Sequence, residues 1–244
     1  MANLTSMLYI AKLPAFAIIT LAETVSFKSP QPLPDSDDRA KYGSEDFITR
    51  SKGWYTRICL GPSYVLHIAE VAAILARAYP AHRLSAPVLA RLFPDPARIS
   101  AVRLSAPFVV GGLLLVAGTW IRKRCYETLG KFFTFQLALF KEHKLVTWGP
   151  YGVVRHPSYS GLLLGIAGIA TVGLGPGSYL YESGMLANPW VAGPAAAWAL
   201  WWASVAGGVV RRVSTEDEVL RNRFGQEWEE WAKRTPYKLV PYVY

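Results

Sequence analysis

The stretch Ser105–Ile121 carries no charged residue and is closed by Arg103 on one side and Arg122 on the other. A bilayer span needs about 20 predominantly apolar residues. Four more stretches approach that pattern: Leu4–Ala22, weakened by Lys12 and Pro14, then Ile58–Tyr79, Ser158–Gly175 and Trp190–Val210. Composition agrees, at 52% hydrophobic and only 18% charged residues, where soluble domains carry about 25% charged. These runs predict an all-α, polytopic membrane helix bundle of about five transmembrane helices. The first apolar stretch reads as a span and not as a cleavable signal peptide.

Charge gives the topology. Arg122, Lys123, Arg124, Lys131, Lys141, Lys144 and Arg155 crowd one connection, and Arg211 to Lys238 is similarly basic, whereas Pro176–Asn188 contains no Lys or Arg. The positive-inside rule puts the two basic regions in the cytoplasm, with a helical hairpin between them. The loop Ala81–Arg103, with Arg83, Arg91, Arg98 and Arg103, fits badly, because five spans place it outside. The formal net charge of +9 fits lipid headgroups as the partner. No nucleic-acid motif is present, and no nucleic acid is expected as a partner. Cys59 and Cys125 form neither a disulfide framework nor a metal site, and no metal is expected. Cys125, in the basic run RKRCYE, reads as structural, with palmitoylation as the alternative.

Gly161, Gly165 and Gly168 form a small-residue pattern in the fourth span. The fifth is rich in Ala and Gly, so these two are expected to pack closely as the hairpin. Trp198, Trp201 and Trp202 are expected to face lipid. The segment STEDEVLRNRFGQEWEEWAKR is amphipathic, with Val219, Leu220, Phe224, Trp228 and Trp231 at helical spacing. Ser214 or Thr215 is a candidate cap, Gly225 a break, and TPYKLVPYVY an extended end.

Polar residues beside a span are costly unless they bind something. The densest set is HKLVTWGPYGVVRHPSYSG, residues 143–161. Gly149-Pro150 makes a turn, and Pro157 suits the first position of a helix. The N–H groups of that helix start, at Arg155 and His156, could hold an anion. Headgroup anchoring is an equal reading of the same pair. Arg212 and Glu216, four apart, share a helix face; on a soluble surface such a pair is worth only about 0.3–0.5 kcal/mol. His67 and Glu70 lie inside the second span, either as functional groups or as a tie between helices.

The long motif resembles the H-x-L-V-T-x-G-x-Y-x-x-x-R-H-P-S-Y-x-G signature of the isoprenylcysteine carboxyl methyltransferases. A second family element, Arg then Glu-acidic-x-x-Leu then Phe-Gly, reads here as Arg212, Glu216-Asp217, Leu220 and Phe224-Gly225. The resemblance covers about Phe133–Tyr244. It implies S-adenosylmethionine as cofactor, held by Gln136, His143, Lys144, Leu145, Val146, Tyr151, Arg155, His156, Pro157, Ser158 and Tyr159. It implies Arg212 as the residue binding the substrate carboxylate and Glu216 as its catalytic companion. Prenylated C-terminal cysteines of CaaX-type proteins would be the partners, beside the lipid bilayer. His67-x-x-Glu70 is a faint echo of a family HxxE. The implied localisation is the endoplasmic reticulum membrane in a eukaryote, with the active site facing the cytoplasm. Residues 1–125 would supply N-terminal spans and linkers, and 126–244 the methyltransferase core. Methyl transfer from a sulfonium to a carboxylate, already ionised at pH 7, requires no strong base; alignment is the main task.

The ending TPYKLVPYVY is instead similar to the tail of membrane sterol reductases, which use NADPH. A methyltransferase for a lipid amine or other lipophilic acceptor is the other alternative.

Overall fold

The computed structural model describes residues 9–32, 54–136, 138, 142 and 144–244, and among these it is helical, without a strand. The helices are α1 (Lys12–Phe27), α2 (Trp54–Ala78), α3 (Ser85–Leu92), α4 (Ala106–Leu129), α5 (Pro157–Leu174), the single turn α6 (Tyr179–Glu182), α7 (Pro189–Phe224) and α8 (Gln226–Arg234). Among the described residues, three segments are long and apolar enough to cross a bilayer: Thr56–Ala78, Ala106–Phe132 and Pro157–Glu182, at mean hydropathies of 1.7, 1.2 and 1.5. They correspond to the expected second, third and fourth spans. The expected first span is described only in part, as the 16-residue α1. The fifth lies within α7, a 36-residue helix whose apolar half is built from alanine, glycine and tryptophan rather than branched aliphatics.

Pro157 opens α5, where its missing N–H costs nothing. The expected cap at Ser214 or Thr215 is absent, because α7 runs straight through both residues from the apolar stretch into the charged one. It stops at Gly225, whose φ of 55° admits the turn into α8.

By packing, the chain divides into two compact units, one of Met1–Thr24, Ile58–Val116 and Gly165–Trp202, the other of Val25–Arg57, Ala117–Leu164 and Ala203–Tyr244. Inside the first, Lys12 is fully buried; its ammonium meets the Glu70 carboxylate and donates to the Gly177 carbonyl at 2.9 Å. Glu70 also accepts the Tyr179 backbone N–H at 2.8 Å, and His67 faces Glu23 at 3.7 Å. The His67 and Glu70 pattern therefore ties helices together here. Trp198 and Trp202 are buried, which corrects the lipid-facing expectation for both. Trp198 packs on Gly173 at 3.6 Å from the position of an added Cβ, filling space that a small residue leaves.

The small-residue face of α5 also differs from expectation. A Cβ on Gly168 would stand 2.6 Å from the Gly111 carbonyl oxygen. In the second unit, one on Gly161 would stand 2.7 Å from the Gly118 carbonyl oxygen. Gly161 and Gly168 thus turn to the backbone of α4, while Gly173 of the same helix meets Trp198 of α7. The core of the second unit gathers Cys125, Phe133, Leu145, Val146, Tyr151 and Trp231, and the full burial of Cys125 favours its structural reading.

Candidate active site

A cleft of about 1050 Å³, counting the part open to solvent, lies within the second unit. Arg122 of α4, Ser158 and Tyr159 of α5, and Arg212 and Glu216 of α7 supply its polar wall, with Gln136, Lys144, Arg155 and His156 from the connecting loop. Leu129, Phe132, Phe133, Leu162, Val209 and Leu220 supply an apolar wall. Leu145, Val146 and Tyr151 also face it.

Ten of the cofactor candidates are described, and nine of them meet at this cleft: Gln136, Lys144, Leu145, Val146, Tyr151, Arg155, His156, Ser158 and Tyr159. Pro157 is not among the lining residues; it is buried at the start of α5. His143 lies outside the described residues. Both catalytic candidates, Arg212 and Glu216, line the cleft.

Arg212 donates from Nη1 to the Phe135 carbonyl at 2.7 Å, and its Nε stands 4.0 Å from Glu216 Oε1. The same Glu216 oxygen accepts the Tyr159 hydroxyl. Glu216 Oε2 faces His156 Nδ1 at 3.2 Å. Next in sequence, Asp217 faces His156 Nε2 at 2.9 Å, Arg155 Nη2 at 3.2 Å and Lys238 Nζ at 3.8 Å.

Burial opposes the charge on His156, but hydrogen bonds and attraction from Asp217 and Glu216 outweigh it, and its pKa is raised. Burial likewise opposes ionisation of Glu216, yet His156, Arg212 and Tyr159 hold its pKa below the ordinary carboxylate value. Asp217 is lowered in the same way, against burial, by His156, Arg155 and Lys238. Burial drives the Tyr151 phenol well above its ordinary value, so that it is a neutral hydroxyl. Around two carboxylates therefore stand the cations Arg155, His156, Arg212 and Lys238. That surplus of positive charge suits an anionic group.

The anion site expected at the start of α5 takes a different form. The Arg155 N–H donates to the Tyr237 carbonyl and the His156 N–H to the Lys238 carbonyl, each at 2.9 Å. Ser160 Oγ donates to the Leu239 carbonyl at 2.5 Å. The irregular segment after α8 thus consumes those donors and fixes the Arg155–His156 loop. Trp231 of α8 adds a bond from its indole N–H to the Tyr151 carbonyl at 3.0 Å.

Two contributors escaped the sequence reading. Arg122 reads in sequence as a charge at the edge of a span, but it is buried, donating to the Ser26 carbonyl at 2.8 Å and the Ser158 carbonyl at 3.1 Å. Asp217 carried a signal, as the second acid of the tail motif, without a role.

The phospholipid methyltransferase family model matches residues 106–181, which takes in α4, the loop, α5 and α6. The chain is 33% identical to protein-S-isoprenylcysteine O-methyltransferase B of Arabidopsis thaliana over 135 residues, 54% of this chain and 58% of that protein. It is 33% identical over 136 residues to a probable protein-S-isoprenylcysteine O-methyltransferase of Oryza sativa subsp. indica, covering 55% of this chain and 61% of that one. Over about half of its length the chain is similar to isoprenylcysteine O-methyltransferases. It spans less than two thirds of the length of these relatives. It is also 29% identical to the Delta(14)-sterol reductase TM7SF2 of Mus musculus over 106 residues, 41% of this chain but 20% of that protein. With three membrane-capable helices among the described residues, the chain is an integral membrane protein.

Proposed function

We propose that this chain is a protein-S-isoprenylcysteine O-methyltransferase, transferring a methyl group from S-adenosylmethionine to the C-terminal carboxylate of a prenylated cysteine. The observation that carries this reading is one cleft lined both by the charged Arg212 and Glu216 and by the apolar Leu129, Phe132, Phe133, Leu162 and Val209. A prenylcysteine has the same two halves, an anion and a hydrocarbon chain.

The donor set fits S-adenosylmethionine. Arg155 Nε is buried with no hydrogen-bond partner among the described residues, and Arg155 lines the cleft beside Lys144 and Gln136. Cations suit the carboxylate of an amino-acid ligand, and carboxylates such as Glu216 suit its positive groups. Gln136, Lys144, Leu145, Val146, Tyr151, Arg155, His156, Ser158 and Tyr159, with His143 and Pro157 from the motif, would hold it. Bound there, S-adenosylmethionine supplies an electrophilic methyl group.

Arg212 then holds the substrate carboxylate by paired hydrogen bonds. Because it also stabilises the ground-state charge, its gain comes from orientation. Glu216 keeps Arg212 and Tyr159 in register. The apolar wall excludes water and admits the prenyl chain from the bilayer. Residues 126–244 would be the methyltransferase core and residues 1–125 the supporting spans, with the cleft on the cytoplasmic side and, in a eukaryote, in the endoplasmic reticulum membrane.

The test is transfer of labelled methyl from S-adenosylmethionine to N-acetyl-S-farnesylcysteine by membranes containing this chain. Base-labile label, lost with Arg212→Ala, supports a carboxyl ester. Cofactor binding without transfer turns the reading to another lipophilic acceptor, such as the lipid amine suggested by the family match. The reductase similarity favours a second reading, NADPH-dependent reduction of a sterol, which binding of NADPH in place of S-adenosylmethionine would establish.

A further inference from the structure

Asp217 is buried at the charged end of α7 and is not among the residues lining the cleft. It nonetheless faces cations from two other segments: His156 at 2.9 Å and Arg155 at 3.2 Å in the loop, and Lys238 at 3.8 Å after α8. The opposite edge of the same imidazole, Nδ1, faces Glu216 Oε2 at 3.2 Å. The ring stacks against Tyr159, with centroids 5.7 Å apart and planes 6° apart. A neutral imidazole has one donor nitrogen and one acceptor nitrogen. An ionised carboxylate only accepts, so a ring facing carboxylates on both sides is satisfied only when both nitrogens carry protons. The charged and titratable groups around His156 are thus Glu216 and Asp217 on α7, Arg155 in its own loop, Tyr159 on α5 and Lys238, with Arg212 behind Glu216.

We propose that Asp217 is a positioning residue that holds His156 as a doubly donating imidazolium, so that the two adjacent acids of α7 divide their work. Glu216 faces the cleft, with Oε2 committed to His156 and Oε1 left to Tyr159 and Arg212. Asp217 occupies the other nitrogen from outside and draws the loop and the segment after α8 together. His156 then serves the cleft as a fixed positive charge and accepts no proton from substrate. The raised pKa of His156 and the lowered pKa of both acids agree with that charge state. For turnover this rests on the methyl-transfer reading; for the state of His156 it does not.

The experiment is NMR of the whole chain, labelled at histidine with ¹³C and ¹⁵N, in detergent across a pH titration. The His156 signal is assigned by its loss in His156→Gln. His156 should titrate above the ordinary histidine value of about 6.5. Asp217→Asn keeps a hydrogen-bond acceptor and removes the charge, so the midpoint should fall by about one pH unit or more, a tenfold change in proton affinity. Glu216→Gln leaves Asp217 alone on the ring and keeps the idea testable if Asp217→Asn does not fold; His156 should still titrate above the ordinary value. A wild-type His156 midpoint at or below the ordinary histidine value, an unmoved midpoint in Asp217→Asn, or an ordinary midpoint in Glu216→Gln would each overturn the assignment.

Methyl-transfer rates give the second readout. The imidazolium is present below the His156 pKa and lost as pH rises through it. The deficit of Asp217→Asn should therefore be largest between the variant and wild-type His156 midpoints and shrink on either side, while Asp217→Glu restores the wild-type profile. An equal deficit at every pH would mean a merely structural residue. If the wild type transfers no methyl at all, the functional reading fails while the NMR result still decides the role of Asp217.

Discussion

Each unit of this protein buries a network of charges, and the two networks are built to different ends. In the first, Lys12 is fully buried and its partner Glu70 is 5% exposed, with the remaining bonds spent on the loop at Gly177 and Tyr179. In the second, Glu216 keeps 19% of its side chain exposed and both it and Arg212 face a cleft. Burial of charge alone does not mark a site. The mark is buried charge held by neighbours on one side and presented to an open space on the other.

The contrast breaks most sharply at the paired basic residues. Arg212→Ala should lower methyl transfer by on the order of 10²-fold or more, the loss that misplacing a reacting group brings. Binding of S-adenosylmethionine, measured by calorimetry, should largely survive. Lys12→Met should act on stability instead, because stripping one partner from a buried ion pair costs about 3–5 kcal/mol. Adding Glu70→Gln should return much of that loss in a thermal melt, since no uncompensated charge is then buried. A double change such as His156→Leu with Asp217→Leu should restore no activity, whatever it does for folding.

Next in size comes the seam between α4 and α5. Gly161→Ala places a methyl 2.7 Å from a backbone carbonyl and 2.9 Å from Arg122 Cγ. The helices must part, at about 1–3 kcal/mol, and displacement of Arg122 should lower activity as well. The matching change in the first unit, Gly168→Ala, meets the Gly111 carbonyl at 2.6 Å and should cost stability alone. Equal loss of activity per folded molecule in both would undo the distinction between the units. The smallest effect is expected from Tyr159→Phe. It deletes the hydrogen bond from the Tyr159 hydroxyl to Glu216. Arg212 and His156 remain on Glu216, so a loss of only about tenfold or less in kcat/KM is expected.

Local features were legible in the sequence because they depend on neighbours along the chain. Pro157 opening α5, the turn at Gly149, the break at Gly225 and the shared face of Arg212 and Glu216 all follow from spacing and backbone chemistry. The features that were not legible are long-range. Arg122 becomes part of the cleft through Ser158, 36 residues away, and the N–H groups of Arg155 and His156 are claimed by carbonyls about 80 residues later. A pattern of small residues announces a close approach but does not name its partner, so Gly161 and Gly168 gave no sign that they face α4. The tryptophans misled for a related reason. The side chain suits both the bilayer interface and a slot beside a glycine, and only packing decides.

The glycine seam has one more consequence. Helices in lipid gain little hydrophobic driving force by associating, since acyl chains are as apolar as their side chains. Association therefore depends on contact made at little loss of freedom. Burying a long side chain costs up to about 1.5–2 kcal/mol in rotamer entropy, and glycine has none to lose. Where Gly168 lies on the backbone at Gly111 and Gly161 on that at Gly118, the van der Waals gain is kept almost whole.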